Sequence, residues 1–268
     1  MNERTPPTPT GLDAYRPAEI AKLIESAGVA KTRLPLLSLA TLGALAGAFI
    51  ALGALFHLAV LMGADPTDGL ARLAAGAAFS LGLVLVIVGG AELFTGNALL
   101  IMAWVDGLVE LGALLRNWTL VYVANFAGAL AIVALAWAAG LDQGPLGALA
   151  RAIAERKFQL GPVELFARGL LCNVLVCLAV WLSFAARGAA DKVLVIVPPI
   201  AAFVALGLEH SIANMFLLPF GMVAGAAAGL GALADNLLWV TLGNIVGGGG
   251  GVALAYWAAY RMPSASNR

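Results

Sequence analysis

Charged positions are almost missing from six long stretches of this chain. Residues 36–63 carry no formal charge beyond a conditional one on His57, and residues 73–105 carry only Glu92. Residues 117–141, 169–186 and 236–260 are uncharged, and residues 193–234 contain only Glu209 and His210. A spanning helix needs about 20 apolar residues, so these stretches have membrane length. The 193–234 stretch is too long for one straight span and too short for two ordinary hairpinned ones, which fits a helix broken into halves. The pattern predicts six spans over residues 34–261, the second and fifth interrupted. Ahead of them Ile20, Leu23, Ile24 and Ala27 fall at helical spacing after Pro17. That spacing predicts an amphipathic helix over 17–28, stopped by Gly28. A helix lying at the membrane surface is one reading; a cytoplasmic gate capping a pore is the other.

Both interruptions carry the same polar motif. Gly90, Glu92 and Asn97 (G-x-E-x-x-x-x-N) recur as Gly207, Glu209 and Asn214. Each copy is followed by N-x7-N-x2-G, as Asn117, Asn125 and Gly128, then as Asn236, Asn244 and Gly247. Two half-chains with interrupted, polar-centred helices are the signature of a transporter or channel built from a structural repeat. The pattern implies movement of a small solute across a membrane.

Composition sharpens this reading. The chain is 62% apolar with a mean hydropathy of +0.95, which excludes an ordinary soluble domain. The formal net charge is zero, so no global field for nucleic acid is implied. Residues 1–16 are polar and proline-rich and read as a disordered cytoplasmic tail. With both termini inside, ten Lys and Arg lie on the inner side and five on the outer. Several of those five, Lys157 among them, crowd the loop between spans three and four, which suggests attraction of anions into an outer vestibule. Solvated surface charge is the alternative for Arg151 and Arg156. Cys172 and Cys177 lie on one predicted helix, about 140° apart around its axis; a disulfide is improbable and they read as packing residues. Abundant Gly and Ala, including the run 247–251, predict close helix approach and a tight oligomer.

An ionisable group near the bilayer centre costs about 2.5–3.5 kcal/mol, so each needs a partner or a wet path. Only Glu92, Glu209 and His210 lie well inside spans; His57 reads as interfacial. His210 adjoins a carboxylate, a hydroxyl and a helix break, and its imidazole can present a proton or a lone pair to a solute. Thr95, at the other break, is placed to reach His210. The two glutamates are expected to hold backbone amides freed at the breaks. Asn117 and Asn236 read as interhelical glue, and Asn173 and Asn244 as pore-lining. No nucleotide loop or metal cluster is present, so no cofactor is expected and active pumping is disfavoured. The Asn-Pro-Ala caps of an aquaglyceroporin are missing, only one histidine lies mid-span where an ammonium channel uses a pair, and no intramembrane protease dyad is formed.

At these residues the chain resembles the formate/nitrite transporter family of pentameric anion channels. The segments that carry the resemblance are GGAELFTGN (89–97), LLCNVLVCLAVW (170–181), GLEHSIANMF (207–216) and NLLWVTLGNIVGG (236–248). The resemblance implies an all-α integral membrane fold of six transmembrane helices in two inverted three-helix repeats, aquaporin-like, in the bacterial inner membrane. It implies His210 as the central pore histidine facing Thr95, and Lys157 as an anion-attracting lysine. Phe79 and Phe203 match an outer constriction, and Leu83, Phe94 and Val176 an inner one. Asn97 and Asn214 join Glu92 and Glu209 in the helix-break scaffold. Partners implied are a small monovalent anion with a proton, the lipid bilayer and further copies of the chain, and no nucleic acid. FSLGLVL (79–85) and EHSIANMF look like formate channels, whereas ELFTGN and NLLWVTLGN resemble the nitrite and hydrosulfide branches; the balance favours formate.

Overall fold

A computed structural model describes residues 13–65 and 67–262. The tail expected over 1–16 lies outside these except for its last four residues, where the Tyr15 amide donates to the Ala185 carbonyl at 3.0 Å. The chain forms α1 (Pro17–Thr32), α2 (Leu36–Leu61), α3 (Gly69–Phe79) and α4 (Leu81–Gly89). A 3₁₀ turn (Gly96–Leu99) leads into α5 (Leu100–Val105), followed by α6 (Leu111–Ala138) and α7 (Gly144–Phe158). The second half holds α8 (Pro162–Ala185), α9 (Ala189–Ala205), α10 (Ser211–Val223) and α11 (Leu230–Ile245). A π-helical segment (Val246–Leu254) then runs into α12 (Ala255–Tyr260). No strand occurs among the described residues.

By length and composition five helical stretches can cross a membrane: Leu36–Leu61, Gly69–Gly89, Leu111–Ala138, Pro162–Ala185 and Leu230–Tyr260. Two shorter apolar helices, Gly96–Val105 and Ser211–Val223, begin after the two motif glycines. The helices pair in corresponding fashion: α2 lies along α6, α8 along α11, and α3 meets α9. The short helices cross over, α10 packing on α6 and α5 on the π segment. Contact this close requires bare backbone. A Cβ on Gly128 would overlap the Ala44 carbonyl, and one on Gly247 would overlap the Leu170 carbonyl, the small-residue packing that lipid favours.

Helix α1 does not stop at Gly28 but continues to Thr32. Glycine weakens a helix only modestly, and here Gly28 packs against Ala103 and Leu100, where the neighbours offset that cost. The apolar face of α1 is not laid on lipid either. Ile20, Ala21 and Ile24 are buried against Leu99, Met102 and Trp181. Glu25, 3% exposed, pairs with Arg261 at 2.8 Å, and Arg261 also holds Asp106 at 2.9 Å. Burial raises the Glu25 carboxyl above its ordinary value despite the arginine, while the Trp257 indole N–H holds Asp106 below its own.

Candidate functional site

The two breaks are made the same way. Gly90 and Gly207 have φ of 80° and 68°, the left-handed region where only glycine is unstrained. In each case the next amide closes the helix behind it: Ala91 N–H donates to Val86 O at 2.9 Å, and Leu208 N–H to Phe203 O at 3.0 Å. This is the Schellman ending, and it explains why both motifs begin with glycine.

Beyond each break an asparagine from a neighbouring helix ties the loose backbone. Asn125 Oδ1 accepts the Phe94 amide at 3.0 Å, and its Nδ2 donates to Gly43 O and Glu92 O. Asn244 does the same for the Ser211 amide at 2.9 Å, with Nδ2 donating to Gly169 O and Glu209 O. The backbone-holding task expected of Glu92 and Glu209 therefore belongs to these asparagines. The glutamates are held by lysines instead: Lys31 Nζ meets Glu92 and Lys157 Nζ meets Glu209, both at 2.8 Å. Asn97 Nδ2 bridges Glu92 to Asn117, and Asn214 Nδ2 bridges Glu209 to Asn236. Such pairing is what a buried carboxylate requires.

The copies also meet each other. Tyr122 and Thr241, five residues after Asn117 and Asn236, share a hydrogen bond of 2.9 Å. Thr95 Oγ1 and His210 Nε2 lie 2.8 Å apart, with Thr95 fully buried and His210 2% exposed. His210 also caps α10, its Nδ1 accepting the Ala213 amide at 3.1 Å. An amide can only donate, so Nδ1 carries no proton and the neutral ring holds its single proton on Nε2, pointing at Thr95. The Thr95 hydroxyl accepts that proton's hydrogen bond and keeps its own O–H to donate elsewhere.

One cavity reaches His210 and a second reaches Gly96, next to Thr95. The first, of about 540 Å³, is bordered by His210, Phe79, Phe203, Lys157, Arg72 and Arg156 among others. The other, of about 440 Å³, is bordered by Leu83, Lys31, Glu92, Asn97 and Lys192, with Ile24, Ala27 and Gly28 of α1 on its wall. Phe79 and Phe203 meet edge to face at 5.5 Å, and Phe203 stacks on His210 at 5.9 Å. Phe94 packs on Trp118 and Tyr122 and, like the buried Val176, borders neither cavity. Asn173 and Asn244, expected to line the pore, also border neither; Asn244 is spent on the scaffold, and Asn173 gives its Nδ2 to backbone carbonyls while its buried Oδ1 has no partner among the described residues. Lys31 was not singled out by sequence reasoning, and Asn125 was marked only as a repeat position with no role assigned. A signal for Lys31 exists: it precedes Gly43 by the same interval that separates Lys157 from Gly169.

The chain belongs to the formate/nitrite transporter family, whose pattern matches residues 18–258. The formate channel FocA of Escherichia coli (strain K12) is 39% identical over 271 residues, covering 92% of this chain and 95% of that one. A solved "FNT family ion channel" superposes with a TM-score of 0.85 at 31% identity, over 90% of this chain and 98% of that one. A solved "pentameric formate channel with formate bound" gives 0.75 at 37% identity, over 84% and 97%. These relatives are named as channels, not enzymes. Membership and the membrane-length helices make this a multi-pass membrane protein of the channel and transporter class.

Proposed function

We propose that this chain forms a pore for small monovalent anions of weak acids, formate first among them, in the bacterial inner membrane with both termini cytoplasmic. In this reading α3 and α4 with α5, and α9 with α10, are the broken second and fifth of six spans, arranged as two inverted repeats. The subunit assembles as a pentamer, as the solved formate channel does. The observation that carries the reading is the Thr95–His210 contact, with His210 on the wall of one cavity and Gly96, next to Thr95, on the wall of the other.

The mechanism follows from the charges around that contact. Arg72, Arg156, Arg168 and Lys157 outnumber Glu209 around the larger cavity, so an anion is concentrated there. Phe79 and Phe203 then offer no compensation to a bare charge. At the centre the His210 Nε2–H is given to Thr95 Oγ1, which leaves the Thr95 O–H as the donor for a solute oxygen. The ring itself is a poor source of the proton, because losing Nε2–H while Nδ1 holds the Ala213 amide would leave an imidazolate. The anion therefore takes its proton from solvent in the cavity and crosses as the neutral acid, with the Thr95 hydroxyl, oriented by His210, recognising its oxygen. ELFTGN and NLLWVTLGN support nitrite or hydrosulfide as the second choice.

Liposome flux tests this. Formate uptake is expected to exceed nitrite and hydrosulfide uptake and to rise as external pH falls. His210→Leu is expected to lower formate flux about three- to tenfold, the loss of the hydrogen bond that orients Thr95. Absence of flux for all three anions would remove the function and leave the fold.

A further inference from the structure

The carbonyl of Thr95 lies just ahead of the 3₁₀ turn, where regular α-helical pairing is not available to it. Besides a long bond from the Ala98 amide at 3.4 Å, it accepts from two side chains of α8. Asn173 Nδ2 donates at 3.2 Å and the Cys177 thiol at 3.4 Å, both residues fully buried. Counted from Lys31 and Lys157, the first-half positions that correspond to Asn173 and Cys177 are Gly47 and Ala51, neither with a side-chain donor. The corresponding carbonyl, that of Ile212, lies inside α10. The extra donors thus occur only where the Thr95 backbone needs them.

Gly248 makes room for both. A Cβ at that position would overlap Asn173 Nδ2 and lie 2.7 Å from the Cys177 sulfur. Gly248 belongs to the π segment, which packs on α8 and on the 3₁₀ turn. The unusual winding and the bare glycine therefore leave space for the two donors to reach Thr95, consistent with π segments recurring at functional sites.

We propose that Cys177 is a positioning residue for the central pair: its thiol, with Asn173 and in space left by Gly248, fixes the Thr95 turn so that the hydroxyl meets His210. The effect on flux rests on the proposed function; the thiol–carbonyl bond does not. A thiol is a weak donor, so its removal should impair the site and leave the fold intact.

The test uses full-length protein, matched for assembled oligomer, in liposomes for formate flux and in detergent for the infrared S–H stretch. Cys177→Ala is expected to lower flux about three- to tenfold, the range for one lost hydrogen bond. Cys177→Ser, which keeps a donor, restores most of it. In a Thr95→Ala background, with no hydroxyl left to position, Cys177→Ala adds nothing. The S–H band removed by Cys177→Ala lies at the hydrogen-bonded, low-frequency end of the range. A free-thiol frequency, no rescue by serine, or an equal loss in both backgrounds would each overturn the proposal. If the wild-type protein carries no formate, the functional reading fails and the infrared band alone decides whether Cys177 holds Thr95.

Discussion

The Lys31 and Lys157 clusters are built from the same residues at matching positions, yet they close differently. Lys31 Nζ bonds both Glu92 and the side-chain Oδ1 of Asn97, at 2.8 and 2.9 Å. Lys157 Nζ bonds Glu209, and Asn214 Oδ1 is buried with no hydrogen-bond partner among the described residues. The Lys157 side chain is also the drier, 15% exposed against 29% for Lys31. At the breaks themselves His210 stands where the first copy has Leu93, and Thr95 where the second has Ile212. Those two departures from the repeat are the groups that meet at 2.8 Å. A duplicated frame supplies support twice, and the chemistry lies where the copies disagree.

The sharpest way to break this comparison is to remove each glutamate. Breaking a buried ion pair costs about 3–5 kcal/mol. Glu209→Ala is expected near the top of that range by thermal unfolding in detergent. Glu92→Ala falls lower, because Lys31 keeps Asn97 and more solvent. Equal losses would mean that the difference in closure has no energetic consequence.

Next in size are the asparagine ties. Asn125→Ala and Asn244→Ala each orphan a buried amide, while the Gly43 and Gly169 carbonyls keep their partners inside α2 and α8, for an expected cost of about 1–3 kcal/mol. The two variants should match closely, since their bonds correspond one for one. A large disparity would show that the halves are not mechanically equivalent.

The smallest effect concerns α1, which touches only the Lys31-side cavity. Docking raises the Glu25 carboxyl, chiefly by burial, above its ordinary 4.5. A raised folded value means the docked helix binds protons better than the released one. The Glu25 contribution to docking is therefore full below 4.5 and is lost as pH rises through the raised value. Asp106, held low, acts oppositely: its contribution is full above its ordinary 3.8 and is lost as pH falls through the lowered value. Amide exchange in α1, corrected for its intrinsic pH dependence, should slow on acidification from neutrality, and Glu25→Gln should abolish the change. Faster exchange on acidification would reverse the sign assigned here.

Much of this was legible in the chain. The paired glycines, glutamates and asparagines located both breaks, because a charged group inside an apolar run has few reasons to exist. His210 was legible for the same reason, and Thr95 from its place at the other break. Less visible was the division of labour among the polar groups. Spacing alone does not say whether Glu92 or Asn125 holds the Phe94 amide, since both types accept hydrogen bonds and only the helix rotation decides. Gly28 read as a helix end, because a stop glycine and a packing glycine look identical until their neighbours are known. Cys177 read as filler, since a thiol among Val and Leu gives no sign of the carbonyl it faces.

The long reach of the Thr95 contacts bears on how such a chain is made. Its hydroxyl partner lies 115 residues later, and the donors to its carbonyl 78 and 82 residues later. When the first broken segment leaves the ribosome, none of these groups has been synthesised. A bare carbonyl beside a helix break is costly in hydrocarbon. The nascent first half must therefore wait in a wetter or protein-shielded place, and the segment around Thr95 reaches its final depth only when α8 and α10 arrive to receive it.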